Sequence, residues 1–419
     1  MRLLKFLPSA VAIVLAAPLA FSVSAAPIPI DLSHRLDEGQ GERLEKFVAR
    51  FNERQKDYQI NITRRVDGDA PKHINLVTRE EQAKFQASKA DFKPLYQVMK
   101  QAKQPFDSRK LSPDLRVGLD DAKGNLFALP VALSTPVLYI NKDAFRKAGL
   151  DPEKPPKTWV EAQKAADKLF DSGSDCPYTT SWPAWVHIDN LSAWNGGEIA
   201  DAKGKLDFNG LVQVKHTAML TTWSKAKFFA YFGRRDEADR RFAAGECGML
   251  TSTSSLYGAL RDDRKVETGV SALPYHDDVQ GSPQQTLADG ASLWVGGGKN
   301  ADEYKGVAMF ISFLLEPALQ VEFSAMEGFL PMTPVARAAA NSKLLQADVA
   351  NLDVAYLQLQ GKGSLHPLRV SQIEPVRVIV EEELEAAWDG RKPAKEALDN
   401  AVERGNEVLP AALKVQLLK

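Results

Sequence analysis

The chain has 419 residues, 44% hydrophobic and 26% charged, and a formal net charge of −1. That balance excludes the basic surface of a nucleic-acid or membrane-surface binder, so an anionic ligand has to be held by local groups. The length predicts more than one lobe, and two cysteines without a nearby histidine cannot supply the four ligands of zinc.

Residues 1–25 read as a secretory signal: a basic start (Met1-Arg-Leu-Leu-Lys5), an apolar run from Ala10 to Phe21, then Ser22-Val-Ser-Ala-Ala-Pro27. Cleavage is expected after Ala25, because Val23 and Ala25 satisfy the small-residue rule and a cut after Ala26 would place Pro27 immediately downstream. Pro8 and Pro18 interrupt the run, which is short for a span of roughly 20 residues. No cysteine follows to carry a lipid, so a periplasmic chain is predicted. In that oxidising compartment Cys176 and Cys247 could form a disulfide, each standing beside a β-prone stretch, Cys-Pro-Tyr-Thr-Thr and Cys-Gly-Met-Leu-Thr. Two buried free thiols are the equal alternative.

From Glu42, Leu44, Phe47, Val48 and Phe51 recur at helical spacing, and Tyr58, Ile60 and Ile62 then alternate as in a strand. Alternation returns at Pro136–Ile140, before a helix from Asp143 to Ala148 that Gly149 ends. A parallel sheet is expected from this α/β punctuation. Gly306–Leu315 reads as an apolar helix, Pro317 restarts one, and Gly328 stops it before an extended Phe329–Thr333. Pro375 opens a helix to about Trp388, and Pro393 opens the last one.

Enzyme signatures are absent. The histidines His34, His73, His187, His216, His276 and His366 form no HExxH pair, and there is no GxSxG elbow. Gly296-Gly-Gly-Lys299 lacks the Ser or Thr of a phosphate loop, and Ser224-Lys-Ala-Lys227 matches SxxK without companion motifs.

The distinctive blocks are Ser134-Thr-Pro-Val-Leu-Tyr-Ile-Asn-Lys-Asp-Ala-Phe145, Asp151-Pro-Glu-Lys-Pro-Pro-Lys-Thr-Trp159, Ser192-Ala-Trp-Asn-Gly196, Gly290-Ala-Ser-Leu-Trp-Val295 and Gly328-Phe-Leu-Pro-Met-Thr333. With Val376-Arg-Val-Ile-Val-Glu-Glu-Glu-Leu-Glu385 they resemble the glycerol-3-phosphate-binding proteins of ABC importers, within the maltose-binding-protein class. The resemblance implies an α/β, two-lobe periplasmic binding protein fold of type II, with three inter-lobe crossings near Ser134, Gly290 and Pro331 and a ligand cleft between the lobes. Lobe 1 is expected to comprise residues 26–133 and 291–331, and lobe 2 residues 134–290 and 332–419. It implies no cofactor and no metal, a phosphorylated polyol as ligand, a permease with a cytoplasmic ATPase as partners, and a monomer. A glycerophosphodiester or an uncharged sugar is the alternative ligand, and an exported glycerophosphodiester hydrolase the rival of another class.

Carried over residue by residue, the resemblance implies ligand contacts from the Ser134 hydroxyl, the Gly290 amide, Thr253 (or Ser254 if the register shifts by one), Trp159 in the cleft, Glu80 on glycerol hydroxyls and Arg377 on the phosphate. Trp182, Trp185 and Trp194 are left open between core and cleft. Arg377 also stands out physically: with Pro375 in the first turn it lies beside the positive end of a helix dipole, where a cation is disfavoured by roughly 0.3–1 kcal/mol unless an anion is present. A helix-surface pair with Glu381 at i+4 is the plain alternative. Lobe 1 departs from the family. Only Arg64 to Asn75 separates Ile62 from Leu76-Val77, about a helix's worth less than expected, and a ligand tyrosine is missing with it. Phe329 replaces a second ligand tyrosine, keeping the ring without the hydroxyl, and Ile28–His34 lacks the family's Trp-His pair.

Overall fold

The computed structural model describes residues 26–36, 38–66, 68–78, 81–111, 115–116, 119–121, 123–201, 203–343, 353–359, 370 and 373–409. The signal segment and Glu80 lie outside them.

Strands β1 (Ile28–His34), β2 (Tyr58–Arg64), β3 (Ile74–Val77), β4 (Leu129–Ser134) and β9 (Asp289–Val295) form a five-stranded sheet in the order β2-β1-β3-β9-β4. Strands β5 (Pro136–Asn141), β6 (Tyr178–Thr180), β7 (Met249–Thr253) and β8 (Thr268–Ala272) form a second sheet, β6-β7-β5-β8. The expected parallel sheet holds only in part. β1 pairs in parallel with β2 and β3, and β6 with β7, but β9 runs antiparallel to β3 and β4, and β5 runs antiparallel to β7 and β8. The cause is the path of the chain: β5 and β9 each arrive from the other sheet and therefore enter theirs from the opposite end.

Each sheet has its own core. The helix Glu38–Arg54 buries Phe47, Val48 and Phe51, with Phe51 edge-on to Phe310 and Phe313 at 5.2 and 5.5 Å. Phe310 and Phe313 belong to the helix Ala301–Leu314, which starts in a capping box between Asn300 and Glu303. Gly306 is required there, because a Cβ would sit 2.4 Å from the Tyr58 ring. Around the second sheet, Leu138, Trp159, Trp223, Val376, Val380, Trp388 and Leu398 pack together. The helix Glu374–Trp388 carries Pro375 in its first turn as expected, Gly390 follows at φ 73°, and Ala394–Val408 begins after Pro393. The short link between β2 and β3, residues 65–73, is as brief as the sequence predicts.

Cys176 and Cys247 form a disulfide, with Cα atoms 4.6 Å apart. They stand just before the parallel neighbours β6 and β7, where the Gly248 N–H donates to the Cys176 carbonyl at 2.9 Å. Sequence left this pairing open; the adjacency of the two strands decides it. The bridge spans 71 residues of sequence, so Cys176→Ser with Cys247→Ser is expected to cost about 2–5 kcal/mol of stability. Thermal unfolding of the oxidised protein against the double variant measures this; equal melting temperatures would contradict it.

Candidate ligand site between the two sheets

A single residue, Thr135, separates the last residue of β4 from the first of β5. Val77 pairs with Ser292 and Ser134 with Asp289, so the carboxyl ends of β3 and β4 share one end of the first sheet with the start of β9. Thr180 pairs with Thr251 and Pro136 with Thr253, so the carboxyl ends of β6 and β7 share one end of the second sheet with the start of β5. Thr135 thus joins the two carboxyl ends, the position where open α/β sheets bind ligands. Further contacts knit these ends. Ser254 N–H donates to the Thr135 carbonyl at 2.7 Å, Thr135 N–H donates to Ser254 Oγ at 3.2 Å, and Leu330 N–H donates to the Leu133 carbonyl at 2.8 Å.

Several sequence-predicted residues gather here. Ser134 is buried with its hydroxyl 3.5 Å from the Asp289 carbonyl, at the long limit of a hydrogen bond. Gly290 leaves no room for a side chain, since a Cβ would meet the Ala132 carbonyl oxygen at 2.3 Å. Its N–H donates to Asp289 Oδ1 at 2.7 Å, so it already faces a carboxylate oxygen. Thr253 is half-buried with its hydroxyl 3.0 Å from Ser255 Oγ, whereas Ser254 is engaged by the crossing. Phe329 is half-buried and stacks on Phe323 at 5.2 Å.

Trp159 is a correction. It is 1% exposed and lies inside the second core, its ring 4.6 Å from His216 and about 6 Å from Tyr178, His187 and Trp223. Thr158 caps the helix Trp159–Asp171 and the Trp159 N–H donates to the Tyr275 carbonyl, which turns the first helical side chain into the lobe. Trp185 and Trp194 are buried in the same lobe. Trp182 differs: it is half-buried at φ 54°, a left-handed conformation costly for a bulky residue, and lies two residues past the carboxyl end of β6.

Arg377 is 2% exposed and pairs with Glu374 in the same turn, not with Glu381. Glu381 is taken by Arg235, whose Nη1 donates to it at 3.1 Å, while Arg235 Nη2 lies 3.6 Å from Glu374. The Arg235 guanidinium sits 5.9 Å from the Trp182 ring centre, and Arg234 makes a two-pronged pair with Glu385 at 2.8 and 2.6 Å. Burial raises Glu381 above the usual carboxylate range, while the Arg234 hydrogen bond holds Glu385 below it. Arg377, Arg235 and the Trp182 ring therefore gather about the start of the helix Glu374–Trp388, while Arg234 pairs with Glu385 in its last turn. Sequence reasoning found Arg377 but missed Arg234 and Arg235; the only signal was the doublet after Gly233. In the first lobe, Arg65 at the end of β2 pairs with Glu81 at 2.6 Å and donates to the Ser33 carbonyl and hydroxyl.

A family model described as bacterial extracellular solute-binding protein matches residues 46–352. The sn-glycerol-3-phosphate-binding periplasmic protein UgpB of Yersinia pseudotuberculosis is 37% identical, covering 95% of this chain and 96% of its own. Its Escherichia coli counterpart is 38% identical over 98% of both. The chain belongs to the bacterial extracellular solute-binding proteins. Solved structures agree on the fold. UgpB from Mycobacterium tuberculosis in complex with glycerophosphocholine superposes with a TM-score of 0.76 at 20% identity, covering 91% of this chain and 98% of the other. The cyclic alpha-maltosyl-1,6-maltose binding protein of Arthrobacter globiformis gives 0.70 at 19% identity, with coverages of 94% and 100%. The fold is thus the two-lobe, maltose-binding-protein-like one that the sequence implied.

Beneath the site, the second lobe of this solute-binding protein holds a buried chain of imidazoles. His187 Nδ1 lies 2.9 Å from His216 Nε2, and His216 Nδ1 lies 3.2 Å from His276 Nε2. Burial pushes His187 down to about 3 and His276 to about 4, and His216 also lies well below its usual value. Asp239, buried and bonded by the Ser181 hydroxyl at 2.6 Å, is pushed up by burial to about 7. The two effects oppose each other. The neutral imidazoles stabilise the fold fully above 6.5 and lose that contribution as pH falls toward their folded values; the protonated carboxyl stabilises below 3.8 and loses its contribution as pH rises through about 7. Asp239→Asn removes the opposing effect. Between pH 4.5 and 6 its unfolding free energy is expected to fall on acidification more steeply than the parent's, by about 1.4 kcal/mol per pH unit. Urea unfolding across that range measures both slopes, and parallel slopes would contradict the assignment.

Proposed function

We propose that this chain is the solute-binding component of an ABC importer for glycerol 3-phosphate or a closely related phosphorylated polyol, exported by cleavage after Ala25. The observation that carries the reading is the buried Arg377 guanidinium at the first turn of Glu374–Trp388, within a cluster of arginines beside a half-buried tryptophan. A guanidinium fork matches phosphate oxygens in two-pronged fashion, and the near-full-length relatives named for sn-glycerol 3-phosphate support the same ligand class. Ser134, Thr253 and the Gly290 amide are the proposed companions, and Glu80 the proposed hydroxyl acceptor. Trp182 takes the stacking role once expected of Trp159. We take the lobes as 26–134 with 289–331 and 135–288 with 332–419, moving the expected edges at 133/134 and 290/291 because Ser134 and Asp289 are paired strand residues of the first sheet.

Glu374 pairs with Arg377 and Asp289 accepts from the Gly290 amide, both donors that a phosphate would use. Binding is therefore an exchange of anions. The closed form is stabilised by contacts from both lobes, and a permease with its ATPase is the proposed recipient of a monomeric, ligand-loaded protein. A glycerophosphodiester is the second reading, favoured by Phe329, whose ring lacks a hydroxyl donor; losing a bond to a charged group costs about 1.5–3 kcal/mol. A hydrolase would instead release alcohol from such a diester.

Calorimetry and thermal shift with glycerol 3-phosphate, glycerophosphocholine, maltose and inorganic phosphate test the reading. Ligand at 100 times its dissociation constant is expected to stabilise by about 2.7 kcal/mol. Glu374→Gln is expected to tighten phosphate-ester binding by removing the competing carboxylate, and Arg377→Gln to abolish it. Arg377→Gln is also expected to lower the unliganded melting point, because it removes a buried guanidinium and its ion pair with the half-exposed Glu374. A response to maltose alone, or turnover of the diester, would contradict the reading.

A further inference from the structure

We propose that residues 353–359 form a strap tying the inter-lobe passages together, with Gln358 as the positioning residue that makes them turn as one. This rests on the reading that the lobes close on a ligand. Three stretches carry the chain between the two sheets or their flanking helices: Thr135 with Pro136, residues 273–288, and the segment around Pro331. The strap bonds to each.

Gln358 is 2% exposed. Its Nε2 donates to the Pro136 carbonyl at 3.0 Å and lies 3.4 Å from Thr135 Oγ1. Its Oε1 accepts from Leu273 N–H, and its backbone carbonyl from Thr286 N–H, both at 2.8 Å. One planar carboxamide thus holds the first passage with its donor end and the second with its acceptor end, which a carboxylate, having no donor, would not do. The same segment receives the Thr135 hydroxyl on the Ala355 carbonyl at 3.2 Å and the Gln285 amide on the Leu359 carbonyl at 3.2 Å. Tyr356 donates its hydroxyl to the Pro331 carbonyl at the third passage. Beneath these bonds, Leu133, Ala288, Leu330, Ala355, Tyr356 and Leu359 form a small apolar cluster separate from both lobe cores.

A buried amide left without a partner is penalised, so turning one passage alone would break bonds that a concerted turn keeps. Hinges are a few residues that absorb the φ/ψ change of closure. Here the strap limits that change to one shared motion, which narrows the range of ligand-free arrangements and favours closure once ligand arrives.

The test uses the mature protein with spin labels on Lys100→Cys and Lys164→Cys, one exposed position in each lobe, and reads the inter-label distance distribution with and without glycerol 3-phosphate. Gln358→Met, similar in length but without hydrogen bonds, is expected to broaden the ligand-free distribution and to weaken binding by about tenfold. Saturating ligand restores a single narrow closed distance. Thr135→Val, which removes the hydroxyl that donates to Ala355 and lies 3.4 Å from Gln358 Nε2 but leaves the other Gln358 bonds, is expected to shift both readouts less and in the same direction, and it serves if Gln358→Met folds poorly. Parent-like width and affinity in the variants would overturn the proposal, even if their melting temperatures fall. The ligand-free width is read without any ligand, so a parent that ignores glycerol 3-phosphate refutes the ligand assignment while the width still judges the strap.

Discussion

The one-residue passage at Thr135 constrains everything else in the molecule. Because β4 ends at Ser134 and β5 begins at Pro136, the two sheets must present their ends to each other across a single peptide unit. The carboxyl ends of β3, β4, β6 and β7 are thereby brought together with the starts of β5 and β9. These are the places where backbone donors and short polar side chains are free of a ladder and can be turned toward a ligand. The antiparallel entry of β5 and β9 follows from the same path, as does the close backbone packing that requires glycine at position 290.

Electrostatics would make the proposed phosphate site an exchange site. Burying an arginine is costly unless it is paired and hydrogen-bonded, and the fold meets that cost for Arg377 with Glu374, while the half-buried Arg235 and Arg234 pair with Glu381 and Glu385. Under the proposed function a ligand phosphate would compete with these partners, and affinity would be a difference between two anion environments. Binding of this kind is tuned by moving or neutralising the internal carboxylate as readily as by adding donors. It also explains how a chain of almost neutral net charge can hold an anion without a positive surface field.

Much of the architecture was legible in the sequence because local signals decided it. The alternation of Tyr58, Ile60 and Ile62 gave β2, Pro375 and Gly390 bracket the helix between them, and the β-prone stretches after Cys176 and Cys247 marked strands, though not the bridge between them. The parallel sheet was misread because strand direction depends on which lobe the chain arrives from, and residue patterns do not encode that. Trp159 was misread because an aromatic at the start of a helix faces inward or outward according to its cap and to contacts such as that with Tyr275, which is 116 positions away. Arg235 and Gln358 carried no recognisable pattern, since their partners are brought near only by the fold. Glu80 lies outside the described residues.

The central claim is that an anion bridges the first turn of Glu374–Trp388 and the crossing at Gly290. A crystal structure of the mature protein grown with glycerol 3-phosphate tests it most directly. The account predicts phosphate oxygens within hydrogen-bond distance of the Arg377 guanidinium and the Gly290 amide, with the Glu374 and Asp289 carboxylates displaced from those donors. A ligand bound elsewhere, or seated in the cleft with both carboxylates still on their present partners, would contradict it.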